Sequence, residues 1–239
     1  MSQSYFIWKG VDCRSKGILL EGPVPIIRPE ERVQHVTIPG RSGELTLLED
    51  DDIFNSYIQT VSVHVKGAFR VNEVVNWLNG SGYVTFHGQP DMRQTARVIG
   101  AVTLDKHSRN LDWWSGTVQF YCEPLKEKLA EADVTITSSG TAVINYGDVK
   151  AKPLLKVTSS GTTVVVAAGG NTLTITGATS GIDYYIDCDA QIIWHLESNV
   201  TVVDTQLSSG KFPALLPGSN SVTGSGWSQI VITRRERYL

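Results

Sequence analysis

The sequence predicts a mainly β protein with one helix, split into an α+β first half and an all-β second half. Three observations carry this. Tyr57–Lys66 alternates strictly, with Val61, Val63 and Val65 on one phase and Ser62, His64 and Lys66 on the other, the pattern of a half-buried strand. Just after it, VNEVVNWLN sets Val71, Val74, Val75 and Leu78 at i, i+3, i+4 and i+7, one face of a helix. Beyond about residue 130, short Val/Ile/Thr/Leu-rich runs alternate with Ser/Gly/Asn turns and no helical period returns. The predicted domains are residues 1–130 and 131–239.

In the first half, Asn79-Gly80 ends the helix, and Tyr83–His87, Ala96–Leu104 and Gly116–Cys122 read as strands, the last two joined by the polar loop DKHSRNLD. One helix packed on an antiparallel sheet follows. Residues 23–52 differ: Pro23, Pro25, Pro29 and Pro39 interrupt the chain, and Gly40-Arg41-Ser42-Gly43 separates VQHVTI from ELTLL. This predicts an extended arm ending in a β-hairpin. Such an arm has little core of its own, so Ile26, Ile27, Val36, Ile38 and Arg41 are candidate contacts to a neighbouring subunit. The charged stretch EPLKEKLAEAD is read as the interruption between domains.

In the second half, DVTITSSG, PLLKVTSSG, TTVVVAAGG, NTLTITG, DYYID, QIIWHLE, VTVVD and SQIVITR are the predicted strands of a β-sandwich, with Ser159-Ser160-Gly161 and Cys188-Asp189-Ala190 as hairpin turns.

Composition bounds the function. With 21 Lys and Arg against 24 Asp and Glu, the net charge is −3, so the basic footprint of a general nucleic-acid binder is missing. Cys13, Cys122 and Cys188 are far apart with no CxxC pair, which predicts three buried small apolar side chains rather than a metal or redox site. The opening MSQSYFIWKG has no basic start followed by an apolar run, and no apolar stretch reaches membrane-spanning length. The expectation is a protein folded in a cytoplasm, without disulfides or membrane insertion.

The patterns of chemistry are weak. Glu49-Asp50-Asp51-Asp52 lacks the alternating ligands and glycine of a calcium loop and reads as a solvated loop. The five histidines have no HExxH or HxH spacing, and no GxSxG elbow nominates a nucleophile. No catalytic, cofactor or metal residue is therefore nominated. Arg234-Arg235-Glu236-Arg237 reads as a solvated strand end, with contact to an acidic partner as the sharper reading. Trp113, Trp114, Tyr184, Tyr185, Trp194 and Trp227 could form a sugar-stacking platform or fill cores and interfaces. Adjacent Trp113 and Trp114 must face opposite ways in a strand, one toward a core and the other toward a partner. Trp113 and Trp194 are the candidate partner or sugar contacts.

Several stretches, in order along nearly the whole chain, resemble the distal tail protein of long-tailed phages with non-contractile tails. They are KGVDCRSKGILLEGP, HVTIPGRSGELTLLED, GTVQFYCEPLKEK, VINYGDVKAKPLLKVTSSG, IDYYIDCDAQIIWH and GKFPALLPGSNSVTGSG. The resemblance implies a first domain that closes into a six-subunit ring, with its arm around a neighbour, and a galectin-like sandwich projecting outward. It implies the tail tube protein on one ring face and the tail-associated hub or lysin protein on the other, with receptor-binding or tape-measure proteins as further neighbours. The expected place is the virion tail tip, assembled in the host cytoplasm, without catalysis or cofactor. The alternative is a host-adhesion module that binds carbohydrate through its sandwich.

Overall fold

The computed structural model describes residues 4–48, 52–67, 71–108 and 111–239. The chain divides into two compact units, Met1–Leu129 with Leu239, and Ala130–Tyr238. It is mostly β, with Val71–Trp77 the α-helix among the described residues.

In the first unit an antiparallel sheet runs in the order β2 (Val11–Asp12), β1 (Phe6–Trp8), β7 (Ser81–Phe86), β8 (Met92–Ser108), β9 (Leu111–Lys128), β6 (Tyr57–Lys66) and β3 (Ile18–Leu20). The alternation in β6 holds: Val61, Val63 and Val65 are buried, and Val61 pairs with Val118 of β9. The register places Val98 opposite Phe120 and Ala96 opposite Cys122 on the same inner face. Helix α1 (Val71–Trp77) closes that face through Val74, with Leu78 just beyond it. Trp8 donates its indole N–H to the Trp77 carbonyl (3.3 Å), and Phe6 stacks on Trp77. Phe6, Trp8 and Phe120 are fully buried, each worth about 1.5–3 kcal/mol of apolar transfer.

The structure corrects two boundaries here. The polar DKHSRNLD segment is strand at its described residues: β8 runs to Ser108 and β9 begins at Leu111, with Lys106 paired to Trp114. A ribbon wetted on both faces needs no apolar alternation, only main-chain pairing. The charged EPLKEK stretch likewise continues β9, because Met92–Gln94 of β8 supplies its partner strand, and Lys126 within it is buried.

Between β3 and β6 lies the arm. Its hairpin is β4 (Val33–Thr37) and β5 (Glu44–Leu48), the two strands read from the sequence.

The second unit is a β-sandwich. One sheet runs β10 (Val134–Ile136), β20 (Trp227–Thr233), β12 (Leu154–Ser159), β15 (Asp183–Asp187), β16 (Ile192–Glu197), β17 (Val200–Val203). The other runs β11 (Thr141–Asn145), β19 (Gly218–Ser225), β13 (Thr163–Ala168), β14 (Asn171–Thr176), β18 (Ser208–Gly210). Both inner faces feed one core, with Val157, Ile186 and Ile232 from the first sheet and Val164, Leu173 and Val222 from the second.

The Cys188–Ala190 turn joins the paired strands β15 and β16, as expected. Ser159-Ser160-Gly161 does not make a hairpin, because β12 and β13 belong to different sheets and the turn carries the chain between them. Strands β11 and β19 escaped the sequence reading. GSNSVTGS looks like turn composition, yet Val222 is fully buried and Asn220 is held by hydrogen bonds to the backbone of Leu216 and Gly218.

Candidate assembly surface

The arm leaves the sheet at Glu21 and returns at Asn55. Its two legs join at the base: Arg32 N–H donates to Ile53 O (2.9 Å), Asn55 N–H donates to Glu30 O (2.7 Å), and Phe54 is buried there. Beyond the base the ribbon has two strands and, among the described residues, no third. Val36 lies opposite Leu45, and Val36 and Ile38 share one face at 39% and 38% exposure. The turn is closed by Arg41 N–H donating to Ile38 O (3.1 Å), with Gly40 and Gly43 both at φ +83°, a conformation that side chains with a Cβ resist. Arg41 itself is exposed at the tip. An isolated two-stranded hairpin is marginal in water, so an apolar ribbon face of this kind is stabilised when another surface covers it.

The five arm residues nominated from the sequence divide into two groups. Ile26 packs over Gly88, where a Cβ would meet its side chain at 3.6 Å, and Ile27 lines a small void with Tyr57, Gln59 and Phe86. Val36, Ile38 and Arg41 stand out on the ribbon. Ile26 is still 63% exposed, so it meets its own sheet on one side and solvent on the other.

Two features of this unit went unread in the sequence. The first is a buried polar layer beneath Ile26 and Ile27, made of Gln59, Gln94, Lys126 and the Tyr57 hydroxyl, which donates to Gln94 Oε1 at 2.9 Å. Burial pushes the Tyr57 phenol up to about 12. The second is an outer apolar pair, Ile58 opposite Tyr121, 49% and 46% exposed, with Arg97 next in the same row. The alternation of β6 would have found Ile58, since it is an apolar residue on the solvent phase.

The tryptophans part as strand geometry requires. Trp114 packs against the core, whereas Trp113 is on the outer face, its indole N–H donating to His64 Nδ1 at 3.2 Å. In the sandwich, Tyr184 is core, and Trp227 packs on the core with its N–H on Val165 O. Trp194 is half-buried in an outer row, opposite Val203 on one side and Tyr185 on the other. Its indole lies parallel to the Tyr185 ring, with centroids 5.5 Å apart and an angle of 10°. One indole face therefore lies against the Tyr185 ring.

The Arg-Arg-Glu-Arg stretch is not a solvated strand end. Glu236 is buried, accepts from Tyr146 N–H (3.0 Å) and the Tyr238 hydroxyl (2.5 Å), and pairs with Arg234 at 3.1 Å; Arg234 also reaches Glu131. Arg235 forms a two-point pair with Asp187 at 2.8 and 3.0 Å. That guanidinium holds the Asp187 carboxyl below its ordinary value, overcoming a smaller opposing effect of burial.

All three cysteines are buried, as expected, and burial pushes their thiols up, Cys13 to about 11 and Cys122 and Cys188 to about 12. Neutral thiols of this kind are poor nucleophiles. His195 Nδ1 meets Asp204 Oδ2 at 2.5 Å, and Asp204 N–H donates to Ile193 O, so this pair holds the end of the β16–β17 hairpin. Of Glu49-Asp50-Asp51-Asp52, the first three residues lie outside the described residues.

Over its whole length the chain superposes on one solved protein, SPP1 Dit (gp 19.1), described as a paradigm of hub adsorption apparatus in Gram-positive-infecting phages. The TM-score is 0.79, covering 100% of both chains, at 18% identity. The chain has the Dit fold. A second solved structure, the phage P2 baseplate in its activated conformation with Ca, aligns over 97% of this chain and 98% of that one, at a TM-score of 0.46 and 7% identity. No family model matches, and no curated protein matches. The Dit fold accounts for the order of elements found here, from the helix-bearing unit with its hairpin arm to the sandwich.

Proposed function

We propose that this protein is a structural subunit of a phage tail tip, closing into a six-membered ring that joins the tail tube to the tail-associated hub or lysin apparatus. The observation that carries the proposal is the arm ribbon, whose Val36–Ile38 face is completed by nothing in its own chain that is described here. A ring needs a heterologous interface, two different patches on each subunit. The ribbon supplies one. The outer row of Ile58 and Tyr121 offers an apolar surface of the kind that would receive it. The full-length likeness to SPP1 Dit, whose described place is a hub adsorption apparatus, supports the same reading.

On this reading the protein works without catalysis or cofactor, its first unit forms the ring, and its second unit faces outward. One ring face meets the tail tube protein and the other the hub or lysin protein. Its place is the virion, after assembly in the host cytoplasm.

Light scattering tests the ring directly. The expected mass is six times 26.1 kDa, alone or on co-expression with the hub protein, with rings visible in negative stain. A chain that stays monomeric at high concentration under both conditions overturns the proposal.

A further inference from the structure

Strand β6 is covered along one side and only in part along the other. β9 pairs with it throughout, from Tyr57 opposite Cys122 to Lys66 opposite Trp113. On the other side β3 pairs with Val65, His64 and Val63. One further bond follows, Glu21 N–H donating to Ser62 O at 3.1 Å, and there the pairing stops. Among the described residues no strand lies on that side of β6 from Tyr57 to Val61.

The bonds that are made fix the direction of the free groups. Lys66 N–H donates to Gly17 O, and Ser62 O accepts from Glu21, so Lys66 and Ser62 turn their main-chain groups toward β3. In an antiparallel strand these groups alternate from side to side. Thr60 and Ile58 therefore turn theirs the same way, onto the side that β3 has left. Opposite Gln119 and Tyr121 they form the pairs that exchange no hydrogen bonds with β9. Gln59 Nε2 reaches Thr60 O only at 3.5 Å.

The sequence explains why the chain does not finish its own edge. The β3 register sets Ile18 opposite Val65 and Leu20 opposite Val63. Continued, it sets Pro23 opposite Thr60 and Pro25 opposite Ile58. Those are the two positions whose N–H groups would have to donate to β6, and proline has none. The chain bends at Glu21-Gly22 instead, and residues 24–27 pass to Tyr57, Gln59 and Phe86. Beside Thr60 and Ser62 this leaves an open cleft of about 270 Å³, walled by Glu21, Gly22, Pro23 and Val24.

An edge with unpaired groups is a template for another strand, and proteins blunt unused edges with charges, prolines or bulges. Residues 58–62 read Ile-Gln-Thr-Val-Ser, without charge or proline, and their register to β9 is unbroken. The prolines stand on the chain that would have filled the edge, not on the edge. The molecule itself offers an occupant in the arm ribbon. β4 and β5 are five residues each, matching the open stretch from Ile58 to Ser62. The ribbon lacks a third strand, and two strands alone are marginal in water. Ile58 is an exposed apolar residue across from Tyr121, and Val36 and Ile38 repeat that spacing on one face of the ribbon.

Resting on the ring reading above, we infer that β4 of one subunit pairs with the open edge of β6 in the next. It bonds to the main-chain groups of Thr60 and Ile58 and sets Val36 and Ile38 beside Ile58 and Tyr121. The sheet then runs on across the subunit boundary, and Pro23 and Pro25 act by keeping the subunit's own chain off the edge.

The test is Thr60→Pro, read by light scattering and amide hydrogen exchange on the full chain, alone and co-expressed with the hub protein. Thr60 N–H takes no part in the pairing with β9, so proline there removes the outward donor and leaves the sheet intact. The concentration needed for assembly should rise by roughly tenfold or more. Thr60→Val, which keeps the N–H, should assemble as the parent does. In the parent the Ile58 and Thr60 amides should exchange at least about tenfold slower in the ring than in the dilute monomer. That comparison decides by itself if Thr60→Pro does not fold. A Thr60→Pro chain that assembles like the parent, or Ile58 and Thr60 amides that exchange equally fast in ring and monomer, overturns the edge pairing and leaves the ring standing. A parent chain that stays monomeric under both conditions overturns both.

Discussion

The arm ribbon and the Arg234–Glu236 segment form the clearest contrast in the molecule. In sequence the ribbon is a mixed arm with apolar residues and little core of its own, while Arg234–Glu236 is charged and belongs in water. In the folded chain the charged segment is the one that goes inside. Val36 and Ile38 are exposed, and Glu236 is 1% exposed within a network of Tyr146, Tyr238, Arg234 and Glu131. The Arg234–Glu236 segment pairs its charges within its own unit. The arm does not complete its own apolar face.

Thiol reactivity offers the largest test of this contrast. Cys13, Cys122 and Cys188 should react with a thiol reagent at pH 8 slower by roughly 10²–10³ in the native protein than in urea, because little thiolate is present. A cysteine introduced by Arg41→Cys at the arm tip should react at the ordinary rate in the isolated chain. Protection of that position only in the assembled ring would sharpen the contrast, and rapid reaction of the native three would break it.

Next in size is Glu236→Ala. Removing a buried carboxylate takes away the acceptor of the Tyr146 amide and one of the two carboxylates at Arg234, and a loss of about 3 kcal/mol is expected from the urea midpoint at neutral pH. A loss under about 0.5 kcal/mol would show the segment to be solvated after all.

Asp187→Asn should cost about 1 kcal/mol, since the pair with Arg235 is partly exposed. Its pH dependence has a definite sign. The folded Asp187 carboxyl lies below its ordinary 3.8, so its contribution is complete above that value and lost as pH falls through the lower folded one. The variant and the parent should therefore converge in stability as pH falls below the folded carboxyl's lowered value. A difference that persists there would point to packing rather than charge.

The smallest effect on folding belongs to Val36→Asp/Ile38→Asp. The monomer should change by less than about 0.5 kcal/mol, as exposed positions do. The same variant should abolish the oligomer in light scattering, and an intact ring would remove the arm from the interface.

Much of this was written locally. The period-2 phase of β6, the helix over Val71–Leu78, the arm hairpin with its Gly40–Gly43 turn and the strand-rich second half all follow from residues near in sequence, because strand and helix periods and turn glycines act over a few positions. The buried state of the three cysteines was legible for the same reason, as small apolar side chains without a partner motif.

What escaped depended on neighbours distant in the chain. Lys126 lies in a strand because Met92–Gln94 pairs with it, and Asn220 lies in one because Val143 of β11 pairs with it. Glu236 is buried because Tyr146, 90 residues away, donates to it. Periodicity reports which face of an element is apolar, and it is silent on what that face will meet. By itself the sequence determined the β class, the one helix and the presence of an arm with apolar residues. Only the tertiary structure decided which charges are internal, which tryptophan face is covered and which apolar residues remain exposed, because those depend on pairing between segments whose sequences carry no record of each other.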